Sequence, residues 1–356
     1  LLDFGLKQHP NDPCVFMMIN DDKKLLIGFH VDDLLIVCND KDFKNVFLDY
    51  IRSRFGSLVI NEEQQVSYLG MIINSEAIGH ISVNMSAYEE KILEFFPVVV
   101  NKRITSPAMD DLLDDASGEE TELLSEHDRQ TFHKVVYMLL YLSKRVRFEM
   151  LLAVSHLAGR VTKANKKDAR TLVVLLQFLQ NYRDKKIDYI GNSTSNVELY
   201  VDASFGNCSD YKGRTGVFVM FIGAVVASYC AKQKIITRNS TESEIVGLSD
   251  GVVWGLYVRS FVEWIKNDMN VPDIPDKMIV YQDNEACITM QDTGQKNNIR
   301  TRHLCVRYYW AREQAHLGFI DIRHISTDLM LADIGTKPKH GRLFHYLWRV
   351  LRGGLI

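Results

Sequence analysis

The sequence predicts an α/β protein built around a mixed sheet, and three observations carry that reading. Val197-Glu-Leu-Tyr-Val-Asp-Ala-Ser204 sets Val197, Leu199 and Val201 in alternation with Glu198 and Tyr200 and then reaches Asp202. That period of two marks a strand, here one that ends in an acid. The design recurs in Met278-Ile-Val-Tyr-Gln-Asp283. From Val197 onward the spacing of apolar residues gives three strands, a helix, a strand, helices, a strand and a helix, the order of an α/β layout.

The bulk composition sets limits. A chain of 356 residues has room for two or three domains. It is 46% hydrophobic and 24% charged, as ordinary folded proteins are. The net charge of -3 excludes a globally basic surface, so contact with nucleic acid would rest on local patches. Six cysteines without a C-x-x-C pair read as reduced thiols in an intracellular protein. No apolar run approaches the roughly 18 residues of a membrane span, and no signal peptide is visible, so no membrane partner is expected. The chain opens on Leu1 in what reads as mid-domain, so a piece of a longer protein is expected.

Leu25–Phe29 and Leu34–Cys38 are strands flanking the tight turn His30-Val-Asp-Asp33. Asp favours turns because its side chain hydrogen-bonds the nearby backbone, so Asp32 and Asp33 alone do not call for a function. Asn39 is expected to cap a helix to Phe55, whose apolar stripe Phe43, Val46, Phe47, Tyr50, Ile51 and Phe55 is core, with Gly56 ending it. Val66–Ile73 and His80–Met85 read as a strand pair, and Ser86-Ala-Tyr-Glu89 as a capping box opening a helix to Phe96. From Asp110 to Asp128 acids accumulate without a base; this run is expected to loop out, solvated and mobile. Three helices follow between Gln130 and Asp184. Their connections cluster Lys144, Arg145, Arg147, Arg160, Lys163, Lys166, Lys167 and Arg170, which suits either a phosphate backbone or a solvated rim. Gly191–Asn196 is a polar linker.

In the last part, Arg214–Gly223 and Ala224–Ala231 are strands meeting at Gly223, a helix runs from about Thr241 to Trp264, and Phe319–Ile325 is a further strand. Asp202 and Asp283 lie at strand C-termini, where open α/β sheets place their sites. Glu244 sits in the first helical turn, where a capping box with Thr241 is its plain explanation. Thr327 is expected to cap the final turns carrying Asp333. Taken together, the four acids change the reading. Convergent carboxylates ~4 Å apart repel by about 4 kcal/mol per pair at an effective dielectric near 20. Mg²⁺ compensates this with hard-oxygen, octahedral coordination, and two such ions suit in-line phosphoryl displacement. His324, nine positions before Asp333, is a candidate for proton transfer or product release. Lys232, Lys234, Arg238, Arg300, Arg302, His303 and Arg307 flank the acids and could hold phosphates.

These motifs carry a resemblance. Val201-Asp-Ala-Ser, Lys232-Gln-Lys, Ser240-Thr-Glu-Ser-Glu244, Gln282-Asp-Asn284, Arg300-Thr-Arg-His303 and Ala332-Asp-Ile-Gly-Thr-Lys-Pro338 resemble, in order and spacing, the ribonuclease H domain of copia-type LTR retrotransposon polyproteins. The resemblance implies Asp202, Glu244, Asp283 and Asp333 as the metal-binding catalytic set, with Glu244 rather than Glu242 at the catalytic position. His30-Val-Asp-Asp33 resembles the Tyr-Val-Asp-Asp signature of the reverse-transcriptase palm, with His30 in place of Tyr. Tyr68-Leu-Gly70 is similar to the following palm strand, and Ser143–Arg147 with its helices to the thumb and connection.

The resemblance therefore implies a partial palm over 1–100, a helical thumb or connection over 101–190, and an RNase H-like domain with a five-stranded mixed sheet over 197–345. It implies Mg²⁺-dependent endonucleolytic cleavage of RNA in RNA/DNA hybrids, with water as nucleophile, a 3′-hydroxyl product, and Mn²⁺ as a substitute ion. The implied partners are the hybrid and the N-terminal palm and fingers of the same polyprotein. The implied setting is a cytoplasmic virus-like particle and the nucleus. Asp32 and Asp33 are a polymerase remnant without their third acid, so no DNA synthesis is expected. The alternative is a decayed or co-opted element that binds nucleic acid without cutting it.

Overall fold

The computed structural model describes residues 1–100, 103–191, 196–269, 274–293 and 302–354. Its first unit is an antiparallel meander of β1 (Lys7–Gln8), β2 (Val15–Asn20), β3 (Lys23–His30) and β4 (Asp33–Cys38). Helix α1 (Lys41–Phe55) lays Phe43, Phe47 and Ile51 on Phe16, Leu25 and Ile27 of that sheet. Its cap is Asp40, whose carboxylate accepts from the Phe43 amide, rather than Asn39. Asn39 instead ties the β3 edge, accepting from Lys24 N at 2.6 Å. Gly56 ends the helix with φ 88°, as the sequence predicts.

A second antiparallel sheet joins β5 (Gln65–Tyr68), β6 (Met71–Ala77), β7 (His80–Asn84) and β8 (Ile187–Ile190). The expected Val66–Ile73 strand is two strands, because Leu69 and Gly70 both take positive φ and turn the chain. Helix α2 (Ser86–Phe95) begins on Ser86 itself, so Ser86 is not the cap. Its Oγ donates to Asn84 Oδ1. The Glu89 side chain is drawn away from the helix end and pairs with Arg147 at 2.7 Å.

Helices α3 (Glu126–Ser143), α4 (Leu151–Ala158) and α5 (Lys166–Asn181) form the helical unit. Much of its basic clustering is neutralised internally. Arg147 is fully buried between Glu89 and Glu149, at 2.7 Å from each. Arg160 pairs with Asp168 at 2.5 Å. The acidic run does not loop out. Asp111 and Glu120 meet Arg170 at 2.5 and 3.2 Å, Glu122 meets Lys166, and Leu112 is buried. The cations at the start of α5 hold the run down, and that was invisible from composition. Of the predicted linker, Asn192–Ser195 lies outside the described residues.

The C-terminal sheet contains β9 (Glu198–Ser204), β10 (Arg214–Phe221), β11 (Ala224–Lys232), β12 (Met278–Gln282) and β13 (Ile320–His324) in the order β11-β10-β9-β12-β13. The first three are antiparallel neighbours, while β12 runs parallel to both β9 and β13. This is the predicted five-stranded mixed sheet. Its α-helices are α6 (Ser240–Met269), α7 (Glu285–Thr293), α8 (Arg302–His316) and α9 (Gly341–Leu351).

Period two divides the sheet between two cores. Leu199, Val201, Val217 and Val219 pack with Ile245, Leu248 and Val252 of α6. On the other face Tyr200, Phe218 and Met220 join a larger core with the helical unit and with Phe344, Leu347 and Trp348 of α9. Trp348 lies 5.6 Å from the Phe178 ring of α5, so α9 closes the sheet against the upstream helices. Helix α6 is long and apolar enough to cross a membrane by length and composition, which the count of unbroken apolar runs missed. Ile245, Leu248, Val252 and the glycines of α6 pack on the sheet, while Val253, Trp254 and Tyr257 are exposed.

Candidate metal centre

The site is assembled by close backbone approach. Gly247, Gly251 and Gly255 recur every four residues along α6 and face the sheet. A Cβ on Gly251 would stand 2.6 Å from Val201 Cγ2, and one on Gly255 would stand 2.3 Å from Met278 Sδ. Their absence lets the helix sit directly on β9 and β12, and one turn earlier this brings Glu244 to the strand ends. The helix is capped by Asn239, whose Oδ1 accepts from Glu242 N, while Glu242 accepts from Arg238 N. Thr241 is therefore not the cap. Glu244 is free of capping duty, and its Oε2 accepts from Ala203 N at 3.0 Å and from Gln282 Nε2 at 3.3 Å.

On the opposite face of the sheet, Gly216 stands in register with Asp202. A Cβ there would lie 2.7 Å from Ala332 O. This gap admits the tight turn Leu331–Gly335 and with it a fully buried Asp333. Thr336 Oγ1 donates to Asp202, and Lys337 reaches Asp333 at 3.0 Å and Asp202 at 3.5 Å. Lys339 Nζ lies 2.6 Å from the other Asp333 oxygen.

Asp202, Glu244 and Asp283 each bring one carboxylate oxygen into a group within 4.8 Å of one another, and Asp202 and Glu244 are buried. Burial, opposed by Lys337 and reinforced by Asp333, pushes the Asp202 carboxyl up to about 6. Burial beside Asp202 and Asp283 lifts Glu244 well above the usual carboxylate range. Burial alone would lower Lys337, but the Asp202 and Asp333 charges hold it above an ordinary lysine. Three hard oxygen donors that share, among the described residues, only Lys337 as a nearby cation fit a divalent ion, whose charge would lower the cost of ionising them.

The predicted residues separate on this map. Asp333 is adjacent to the group but outside it, held by two lysines. His324 is exposed at the end of β13, in register with Gln282. Thr327 donates to Asp283 at 3.0 Å and caps no helix. Lys232 is engaged with Asp210 at 2.9 Å, Lys234 and Arg238 are exposed, and Arg307 pairs with Asp250. Arg300 lies outside the described residues, as do the side chains of Arg302 and His303. Asp32 and Asp33 are exposed at the β3–β4 hairpin, and among the described residues they gather with no third metal ligand. Sequence reasoning assigned no role to Thr336, Lys337 or Lys339; the i, i+4 spacing of Asp333 and Lys337 was the signal available.

No protein-family model matches the chain. Among solved structures, RNase H1 from the archaeon Halobacterium salinarum is 17% identical with a TM-score of 0.28, covering 40% of this chain and 94% of that one. An N-terminal RNase H domain from Mycobacterium tuberculosis is 13% identical with a TM-score of 0.30, covering 40% and 91%. The Ty1-MR1 and Ty1-GR1 transposon Gag-Pol polyproteins of Saccharomyces cerevisiae are each 22% identical over 361 residues, covering 96% of this chain. The chain spans about a fifth of the length of those polyproteins. Along nearly its whole length it is thus a relative of the Gag-Pol polyproteins of copia-type LTR retrotransposons.

Proposed function

We propose that the C-terminal sheet domain is a divalent-metal-dependent ribonuclease H that cuts the RNA strand of RNA/DNA hybrids. The observation that carries this is the meeting of Asp202, Glu244 and Asp283, from three separate elements, within 4.8 Å. Asp202, Glu244 and Asp283 would hold the metal, with Asp333 as a fourth ligand once Lys337 and Lys339 yield it. Bound divalent ions, Mg²⁺ or Mn²⁺, would supply Lewis-acid stabilisation of the attacking and leaving oxygens of a phosphodiester.

The chain's own residues orient the donors. Ala203 N and Gln282 fix Glu244, Thr327 fixes Asp283, and Thr336 fixes Asp202. Lys234, exposed on the segment that leads into α6, offers a cation for a phosphate backbone. Hybrid shape and 2′-hydroxyl contacts would supply recognition with little base readout. On the same reading, the N-terminal strands and α1–α2 are part of a reverse-transcriptase palm, and α3–α5 belong to its thumb or connection. The hairpin acids Asp32 and Asp33 then need a third carboxylate from elsewhere in the polyprotein, so this chain alone makes no DNA.

The test is a labelled RNA/DNA hybrid with Mg²⁺: wild type cuts the RNA strand and Asp283→Asn does not. Equal behaviour of the two sinks the assignment. The ion pairs that hold Asp333 favour a second reading, a nucleic-acid binder without cleavage. Hybrid binding in EDTA combined with no cleavage in Mg²⁺ would select it.

A further inference from the structure

The nuclease reading leaves one buried cluster unused, behind the turn that presents Asp333 and Thr336. Arg214 of β10 is 2% exposed, and among the described residues no carboxylate pairs with it. Its Nη2 donates to Ser155 of α4 and lies 3.7 Å from Cys230 Sγ, while its Nε has no partner. Cys230 of β11 lies 3.3 Å from Ser155 Oγ and donates to Gly335 O at 2.7 Å. The next residue, Thr336, donates to Asp202 and has its own carbonyl fixed by Asn207 Nδ2 at 3.2 Å. A guanidinium buried without a counter-charge is costly, so a fold that keeps one has a use for it.

We propose that Ser155, Arg214 and Cys230 are positioning residues through which the upstream helix α4 sets the Gly335–Thr336 turn against Asp202. Arg214 orients the Ser155 hydroxyl and the Cys230 thiol. The thiol proton then holds the Gly335 carbonyl, and the turn cannot retreat from β10. The turn that presents Thr336 to Asp202 is therefore positioned by a residue from outside the C-terminal sheet domain. The effect on catalysis rests on the nuclease reading, but the placement of the turn does not.

The experiment uses the full chain with Cys230→Ala, Ser155→Ala and Cys230→Ser, and reads amide hydrogen exchange, Mg²⁺ titration and hybrid cleavage. Amide exchange is expected to accelerate about tenfold at Thr336 and Lys337 in Cys230→Ala. The effect of Ser155→Ala is expected to be smaller, α6 is unchanged in both, and Cys230→Ser restores protection. Mg²⁺ affinity and kcat fall together with that protection while KM for the hybrid holds. Unchanged exchange at the two amides overturns the proposal, as does uniform acceleration across the domain. Faster local exchange with unaltered Mg²⁺ affinity and kcat overturns the positioning role. Exchange decides the placement of the turn even if the wild type leaves the hybrid intact, a result that would count against the nuclease reading alone.

Discussion

Two acidic hairpin-and-strand sites in this chain began with similar credentials and ended differently. Asp32 and Asp33 follow an apolar strand, as Asp202 and Asp283 do. In the structure the first pair stands exposed at a turn, while Asp202 is buried and gathered with Glu244 and Asp283. The difference lies in what packs behind each. Helix α1 packs on the β2–β3 core and leaves Asp32 and Asp33 exposed at the tip, whereas the α6 glycines and Gly216 let two elements press on β9 from opposite faces. A carboxylate at a strand end joins such a group only when backbone geometry delivers its partners.

The strongest way to break this comparison is to exchange the outcomes. Asp283→Asn should lower hybrid cleavage by about a thousandfold, the equivalent of several kcal/mol of metal-assisted stabilisation. Asp32→Asn and Asp33→Asn should leave it unchanged, and single-turnover assays on the three variants decide it. Loss of cleavage in a hairpin variant would mean the two sites are coupled.

The next effect is pH-dependent. Asp202 titrates at about 6 in the metal-free fold, above its ordinary 3.8, so the folded state holds a proton that the unfolded chain releases. The Asp202 contribution to metal-free stability should therefore be lost as pH rises from about 4 to about 6, and Glu244, lifted well above the usual carboxylate range, should carry the loss to higher pH. Asp202→Asn should flatten that slope. Stabilisation by Mg²⁺ should grow across the same window, because the ion binds the ionised carboxylates. Thermal unfolding across pH 4–8 with and without Mg²⁺ checks both signs.

A third test removes one gap. Gly216→Ala places a methyl 2.7 Å from Ala332 O and 3.0 Å from Thr336 Cγ2. Overpacking of this kind costs about 1–3 kcal/mol, and here it should also push Asp333 and Thr336 off β10 and weaken Mg²⁺ binding. The same substitution at Gly28 of β3, where an added Cβ meets nothing within 4 Å, should leave Mg²⁺ binding unaltered. Calorimetric titration of the two variants separates them.

Much of this arrangement was legible beforehand. Strand period and terminal acids located β9 and β12, and the resemblance to copia-type ribonuclease H domains implied Glu244 rather than Glu242. In the structure Glu244 joins the acid group, while Glu242 is occupied by the helix start. Sequence could not show which cations would be spent internally. Arg147 read as part of either a phosphate track or a solvated rim and lies buried between two glutamates, and the acidic run looked mobile and is pinned by α5. Such pairings depend on long-range packing, which local spacing does not encode. Asp333 was legible as an acid of the set, but its capture by Lys337 and Lys339 required the turn that Gly216 admits.

The smallest effect tests the hairpin itself. Val31 sits at its tip with φ 57° and its side chain largely exposed. The left-handed region costs a non-glycine residue about 1–2 kcal/mol, and a β-branched side chain sits there least comfortably. No described contact offsets that strain, because Asp32 and Asp33 beside it have no gathered site to serve. Val31→Gly should therefore raise stability by about 1 kcal/mol, after the extra freedom glycine gives the unfolded chain, and leave hybrid cleavage untouched. Chemical denaturation followed by circular dichroism reads the first effect and the cleavage assay the second. If glycine instead destabilises the chain, the valine is held by contacts that this hairpin does not make among the described residues, and the contrast with the buried site is weaker than drawn.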